Sequence, residues 1–334
     1  MRKSALQFTK TETRTDEELV TVDQLPRLVE DWLADCQIRQ HSSSTIELRR
    51  TLLGRLQWFL NDREATLCGR SELRSFLAYL SSGHQDADGR WGKGKDKRWS
   101  RPLRPASVNT YYHHIRAFFS WLVSEELIGT SPMEKIAPPV MREDQVTPFT
   151  KQQVEALVQA ARRSKYPRRD EAIIRFLLDT GVRVTELCEM KMRDIDLLEG
   201  QARILGKGNK FRVICFGRRT ARALRNYLRE DERMPDETVF LSERGENAGS
   251  KFTRSGVLQL VERLGRVASI HGVRCSPHTF RHTFAVEFLR NGGNVFTLKQ
   301  LLGHAGLQVT NRYVALAQAD IQAQHRQFSP GDRV

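Results

Sequence analysis

Residues with the chemistry to handle an anion crowd into the stretch 276–314. It opens Ser276-Pro277-His278-Thr279-Phe280-Arg281-His282, passes through Leu301-Leu302-Gly303-His304 and closes Thr310-Asn311-Arg312-Tyr313-Val314. His278 and Arg281, three apart, share one face of a helix. Between His282 and Tyr313 the sole acidic residue is Glu287. A guanidinium holds two phosphate oxygens through parallel hydrogen bonds. Imidazoles move protons near neutral pH. A phenol is an oxygen nucleophile once a partner accepts its proton, which it needs because its reference pKa is about 10.

Each of these residues also has a plainer reading. Tyr313 stands at helical spacing from Val309 and Leu316 and, taken alone, is a core phenol. His278 and His282, with Cys275 nearby, have the spacing of a zinc site, but Thr279 stands where an HExxH motif has its glutamate. Lys207, in the run Gly206-Lys207-Gly208-Asn209-Lys210, is by itself a solvated turn lysine, and Lys210 competes for any role it has. The same run brushes against a phosphate-binding loop. However, the step from Gly200 to Gly206 is one residue too long, and Gly208 stands where Ser or Thr would hold magnesium, which rejects an NTPase.

The composition frames this chemistry. A chain of 334 residues has room for two domains with a core each. Its 39% hydrophobic and 28% charged residues describe a globular protein, and its net charge of +14 favours a polyanionic partner. Cys36, Cys68, Cys188, Cys215 and Cys275 are odd in number and scattered without a CxxC pair. That argues for a reducing compartment and against a disulfide framework. No apolar run reaches bilayer-spanning length, and the N-terminus lacks the apolar stretch of a secretory signal. A cytoplasmic protein with no membrane partner is expected.

The elements that must position the cluster follow from periodicity. Residues 1–20 form a polar segment. Apolar residues at three- and four-residue steps predict four helices over 21–128, an all-α domain. A long basic loop, 83–105, interrupts it with Lys93, Lys95, Lys97, Arg98 and Trp99. Tyr111 and Tyr112 fit the core and a DNA contact equally well. Prolines predict a linker over 129–149. A second domain spans 150–317, with Thr150 as a helix cap, a hairpin over 200–216 and a further strand at Val239-Phe240-Leu241. Helices follow at 254–271, 278–290 and 297–302. Residues 318–334 form a C-terminal tail. The fold class is mainly α with a small β-sheet in the C-terminal domain (α+β).

With these pieces in place, the chain resembles the tyrosine recombinases, also called the phage integrase family. The resemblance is close over 150–317 and holds only in type over 20–128. It rests on Thr180-Gly181-Val182-Arg183-Val184-Thr185-Glu186-Leu187, Gly206-Lys207-Gly208-Asn209-Lys210, His278-Thr279-Phe280-Arg281-His282, Leu301-Leu302-Gly303-His304 and Tyr313. Five such pieces in order are specific where any one is weak.

The resemblance implies an N-terminal all-α core-binding domain and an integrase-type catalytic domain that clamp duplex DNA. It also implies a homotetramer on paired sites with inverted half-sites. Arg183 and Arg281 would grip the scissile phosphate, stabilising charge that grows in the transition state. Tyr313 would attack phosphorus and form a 3′-phosphotyrosine. His278 would exchange the nucleophile's proton, His304 would hydrogen-bond a phosphate oxygen, and Lys207 would protonate the departing 5′ oxygen. Glu186 would support the site. A phosphotyrosine conserves the phosphodiester energy, so no ATP or other cofactor is expected. Arginines supply the positive charge, so no metal is expected. The 83–105 loop is long for the family and implies an extra DNA or protein contact. The short N-terminal segment leaves no arm-binding domain and favours simple core sites. The expected role is that of the integrase or transposase of a bacterial mobile element. The alternatives are a Xer-like chromosome-dimer resolvase, a type IB topoisomerase and a DNA-binding repressor.

Overall fold

The computed structural model describes residues 20–83, 89–92, 100–140, 147–206, 211–229, 233–243, 248–303, 313 and 329–333. The chain divides into two compact units, Met1–Asp144 and Gln145–Val334.

The first unit contains α1 (Leu25–Ile38), α2 (Ser43–Asp62), α3 (Arg70–Ser81) and α4 (Pro105–Ser124). Ser42 starts α2 by accepting a hydrogen bond from the Thr45 amide. The apolar faces meet in a core that includes Leu25, Trp32, Leu56, Phe76, Phe118 and Phe119. Tyr111 and Tyr112 belong to this core. The Tyr112 hydroxyl donates to the Ile136 carbonyl at 2.7 Å, and Arg55 Nη1 donates to the Tyr111 oxygen at 2.7 Å. Both rings are therefore used in packing. The 83–105 loop also reaches inward. Arg90 and Trp91 are buried, and the Trp91 ring lies 5.7 Å from Trp58 and 5.5 Å from Tyr79. The run Lys93 to Trp99 lies outside the described residues. Beyond α4, Ile128, Met133 and Ile136 return to the same core, so the proline-rich stretch is anchored where it begins.

The second unit contains α5 (Lys151–Arg162), α6 (Pro167–Thr180), α7 (Val184–Glu189), α8 (Arg218–Leu228), α9 (Arg254–Val267), α10 (Pro277–Arg290) and α11 (Val295–Leu302). Its antiparallel sheet has the order β1 (Ile195–Asp196), β2 (Gln201–Leu205), β3 (Phe211–Cys215). The register of β2 and β3 runs from Gln201 opposite Cys215 to Leu205 opposite Phe211. Helices around this small sheet agree with the fold class read from the sequence. Thr150 caps α5 as expected, in a reciprocal box with Gln153.

Three expectations need correction. The segment 239–241 is not a strand: it is held by isolated bridges, Lys191 to Thr238 on one side and Leu241 to Lys251 on the other. Because the chain changes neighbours within a few residues, no ladder propagates, although Val239 and Phe240 are fully buried. The helix expected over 254–271 stops at Val267, where Ser269 turns to φ 51° and the Ile270 amide bonds back to the Gly265 carbonyl. The helix expected at 297 begins at Val295, because the Asn294 side chain accepts from the Phe296 amide at 2.8 Å. No helix among the described residues is long and apolar enough to cross a membrane.

Candidate active site

Arg183 owes its position to a glycine. Gly181 ends α6 in the left-handed conformation, φ 59°, and a β-carbon there would stand 2.5 Å from the Phe284 ring. The chain turns at that point and restarts as α7 with Arg183 at the cap. Glu186, three residues on, accepts from the Arg183 amide at 2.8 Å and from Arg183 Nη1 at 2.9 Å. One carboxylate thus caps the helix and aims the arginine.

Arg281 comes from the second turn of α10 and is 5% exposed. Its Nη1 donates to the Gly181 carbonyl and its Nη2 to the Leu302 carbonyl, each at 2.7 Å. Among the described residues its remaining guanidinium N–H groups make no hydrogen bond, which leaves them for an anion. Burial, and then the neighbouring charge of Arg183, push its pKa down to about 10, so it stays charged at neutral pH.

A third arginine joins them, which the motif reading did not single out. Arg212 on β3 grips both carboxylate oxygens of Glu186, Nη1 at 2.8 Å and Nη2 at 2.7 Å, and its Nε donates to the Leu301 carbonyl at 2.8 Å. Burial opposes ionisation of Glu186, but the hydrogen bonds from Arg212 and Arg183 outweigh it and hold its carboxyl below the ordinary carboxylate value. The sequence carried one signal for Arg212. In β3, Phe211, Val213 and Cys215 are exposed, while Arg212 and Ile214 share the inner face. A charged residue at an inward register of a strand calls for a partner.

The three arginines converge on one helix end. Leu301 O receives Arg212, Leu302 O receives Arg281, and Gly303 O receives Arg183 Nη2 at 3.2 Å. The last carbonyls of a helix lack intrahelical donors and carry the negative end of its dipole, so guanidinium groups suit them. The terminus of α11 thereby gathers residues that lie far apart in sequence.

His278 opens α10 and is exposed. Partial burial of its ring, then the charges of Arg281, Arg183 and Arg274, hold its pKa below the usual imidazole value, so it is neutral at pH 7. Tyr313 is 3% exposed and packs against Ala285, Val286, Leu289, Leu298 and Leu302 of α10 and α11. Its hydroxyl lies 2.7 Å from Nδ1 of His282. Lys207 and His304 lie outside the described residues, although the strands flanking Lys207 and the residue before His304 are described. The arrangement brings Arg183, Glu186, Arg212 and Arg281 into one network, and Tyr313 shares a buried cluster with residues of the two helices that carry Arg281 and the shared carbonyls.

Comparison with known proteins adds to this geometry. The phage integrase family model matches residues 148–320. Similar curated proteins include the tyrosine recombinase XerD of Pseudomonas putida, 31% identical over 239 residues, covering 70% of this chain and 78% of that protein. Another is the tyrosine recombinase XerC of Pelobacter propionicus, 32% identical over 258 residues, covering 72% of this chain and 81% of the relative. Among solved structures, XerH bound to a palindromic difH substrate in a post-cleavage complex gives a TM-score of 0.67 at 18% identity, covering 94% of this chain and 86% of that one. The Tn1549 transposon integrase with transposon right end DNA gives 0.66 at 18% identity, covering 93% and 100%. At such identity these two structures speak for the fold alone.

Proposed function

The chain belongs to the phage integrase family, the tyrosine recombinases, and from that premise we propose that it cleaves and rejoins duplex DNA at specific sites through a 3′-phosphotyrosine at Tyr313. One observation carries the assignment of the site to these residues: Arg183 and Arg281 lean on consecutive carbonyls of one helix end, on the two helices that bury Tyr313. Two fixed guanidinium groups beside a phenol suit a phosphodiester whose equatorial oxygens gain charge during attack. Lys207, on the turn between β2 and β3, protonates the departing 5′ oxygen. His304 hydrogen-bonds a phosphate oxygen. His278, kept neutral among arginines, is the base that the family resemblance assigns. Glu186 supports Arg183.

The working assembly is a homotetramer on two duplexes with inverted half-sites, in the cytoplasm. Its biological role is integration or transposition of a mobile element. A Xer-like resolvase is the second reading, favoured by the XerC and XerD relatives. DNA flanking the gene separates the two.

The test uses a duplex carrying the cognate site, nicked just 3′ of the scissile phosphate. Attack releases a short fragment that diffuses away, so the covalent complex accumulates. The intact protein is expected to give a denaturation-resistant adduct at Tyr313 with a free 5′ hydroxyl, without ATP. Tyr313→Phe is expected to bind DNA and give none. An adduct on another residue, or cleavage by the Phe variant, overturns the mechanism. Relaxation of supercoiled plasmids that lack the site identifies a topoisomerase instead, and binding without any adduct identifies a repressor.

A further inference from the structure

Strand cleavage is complete when the 5′ oxygen leaves, and a group that protonates it must be held to within about 0.5 Å. The strands that lead into and out of the turn with Lys207 alternate. Leu205, Phe211 and Val213 face outward and are exposed, whereas Ala202, Ile204 and Ile214 are buried in the core. The pairing of β2 with β3 ends at Leu205 opposite Phe211. The last inward position of β3 on the turn side is Arg212, opposite Ile204. Ile204 secures its strand by apolar packing, which has no direction. Arg212 secures β3 by directed bonds, from Nε to the Leu301 carbonyl and from Nη1 and Nη2 to Glu186.

We propose that Arg212 is a positioning residue for departure of the 5′ oxygen. It ties the hairpin to the end of α11 and to the cap of α7, and so sets the proton donor in register with the two arginines of the phosphate grip. The proposal rests on the reading of Lys207 as that donor and of Tyr313 as the nucleophile. As the bond from the phenol oxygen to phosphorus forms, the phenol proton passes to His278. The bond from phosphorus to the 5′ oxygen breaks, its electron pair goes to that oxygen, and the oxygen takes a proton from the Lys207 ammonium. Rejoining returns each proton. Arg212 touches neither reacting oxygen in this scheme and acts through the placement of β3.

The bonding pattern separates this role from plain charge neutralisation. A guanidinium needed to neutralise Glu186 would make the two bonds to its carboxylate. The third, to Leu301 O, fixes the plane of the group against α11. The acceptors are also those of the grip itself: Glu186 aims Arg183, and the next two carbonyls of the same helix end receive Arg281 and Arg183. Without Arg212, Arg183 keeps its own bonds to Glu186 and Gly303 O, and Arg281 keeps Gly181 O and Leu302 O. The hairpin loses its directed tie to them.

The test uses two nicked duplexes, one with the natural 5′ oxygen at the scissile phosphate and one with sulfur in its place. A thiol has a reference pKa of about 8.5, so sulfur leaves as the thiolate without a proton donor. Adduct formation is measured in a single turnover at saturating protein, and the sulfur-to-oxygen rate ratio is taken within each variant, so that a reduced folded fraction cancels. Arg212→Ala is expected to be slow on oxygen by about 10²-fold. Its ratio is expected to exceed the parent's at least about tenfold, within the range that proton transfer contributes. Arg212→Lys, which keeps the charge but not the fork, is expected to share the raised ratio. Lys207→Ala is expected to raise the ratio too, and Arg281→Ala to leave it at the parental value. An Arg212→Ala enzyme at the parental rate on oxygen overturns the proposal. So does a slow Arg212→Ala enzyme with the parental ratio, which reduces Arg212 to a partner of Glu186. A ratio raised equally in Arg281→Ala overturns it as well, because sulfur then helps any slow variant. A parental ratio in Lys207→Ala removes the donor role from Lys207, and the proposal falls with that reading.

Discussion

Arg183 and Arg281, the two arginines proposed to hold one phosphate, sit in unlike surroundings, and their substitution should differ accordingly. The Arg183 side chain is 36% exposed, whereas Arg281 is 5% exposed and satisfies two backbone carbonyls. Arg183→Ala should slow cleavage at least about 10²-fold, the scale for one preorganised donor, with little change in melting temperature. Arg281→Ala should slow cleavage as much and also destabilise the fold by about 1–3 kcal/mol, since buried carbonyls lose their donors. Equal stability of the two variants would contradict the burial argument. Glu186 adds a pH dependence. Its folded pKa lies below the ordinary 4.5, so the stability it contributes is complete above that value and is lost as pH falls through the lower folded pKa. Glu186→Gln should remove that acid-side loss, which acid denaturation of both proteins measures. Arg183, Glu186 and Arg281 could be read from motif order. Arg212 could not, because its partners Glu186 and Leu301 are set by the fold rather than by spacing.

The end of α11 is the element on which the arrangement turns. Gly303 closes it in the left-handed conformation, φ 63°, and a β-carbon there would lie 3.1 Å from Arg212 Nη1. The close approach lets one guanidinium reach both Glu186 and Leu301. Removing Arg212 frees Glu186 on one side and the helix end on the other. Arg212→Ala should therefore slow adduct formation by about 10²-fold, the scale at which small misplacements act. DNA affinity, spread over many basic residues, should hold. Arg212→Lys keeps the charge but not the fork and should remain slow. A Lys variant at full rate would show that charge alone matters. A helix start with a side-chain cap was legible: Thr150 stands where a cap was expected. The two-residue β1 and the bridges around 238–241 were not, because their pairing is set by distant segments rather than by local alternation. Part of the basic loop 83–105 also turns inward, since Trp91 fills the helical core, whereas the run Lys93 to Trp99 on which the expectation of a contact rested lies outside the described residues.

At the scale of the whole molecule, a net charge of +14 accounts for affinity to DNA but not for pairing of two sites. Pairing needs a contact between copies, and in a closed ring each copy must both offer and receive one. The tail, 318–334, is a candidate for the offered part. Ile321 and Phe328 stand in a polar setting with Pro330 and Gly331 after them. Of this tail residues 329–333 are described, and the rest lies outside the described residues. Truncation after Gln318 leaves the arginine network and Tyr313 in the chain. The shortened protein should therefore still bind a single site and still form the adduct on a nicked duplex. It should fail to hold two duplexes together, and strand exchange should vanish with synapsis. Sizing of protein–DNA complexes at matched concentrations tests this. The intact chain should give two-site complexes where the truncated chain gives single-site ones. Two-site complexes and recombinant products from the truncated chain would place the contact between copies elsewhere on the molecule.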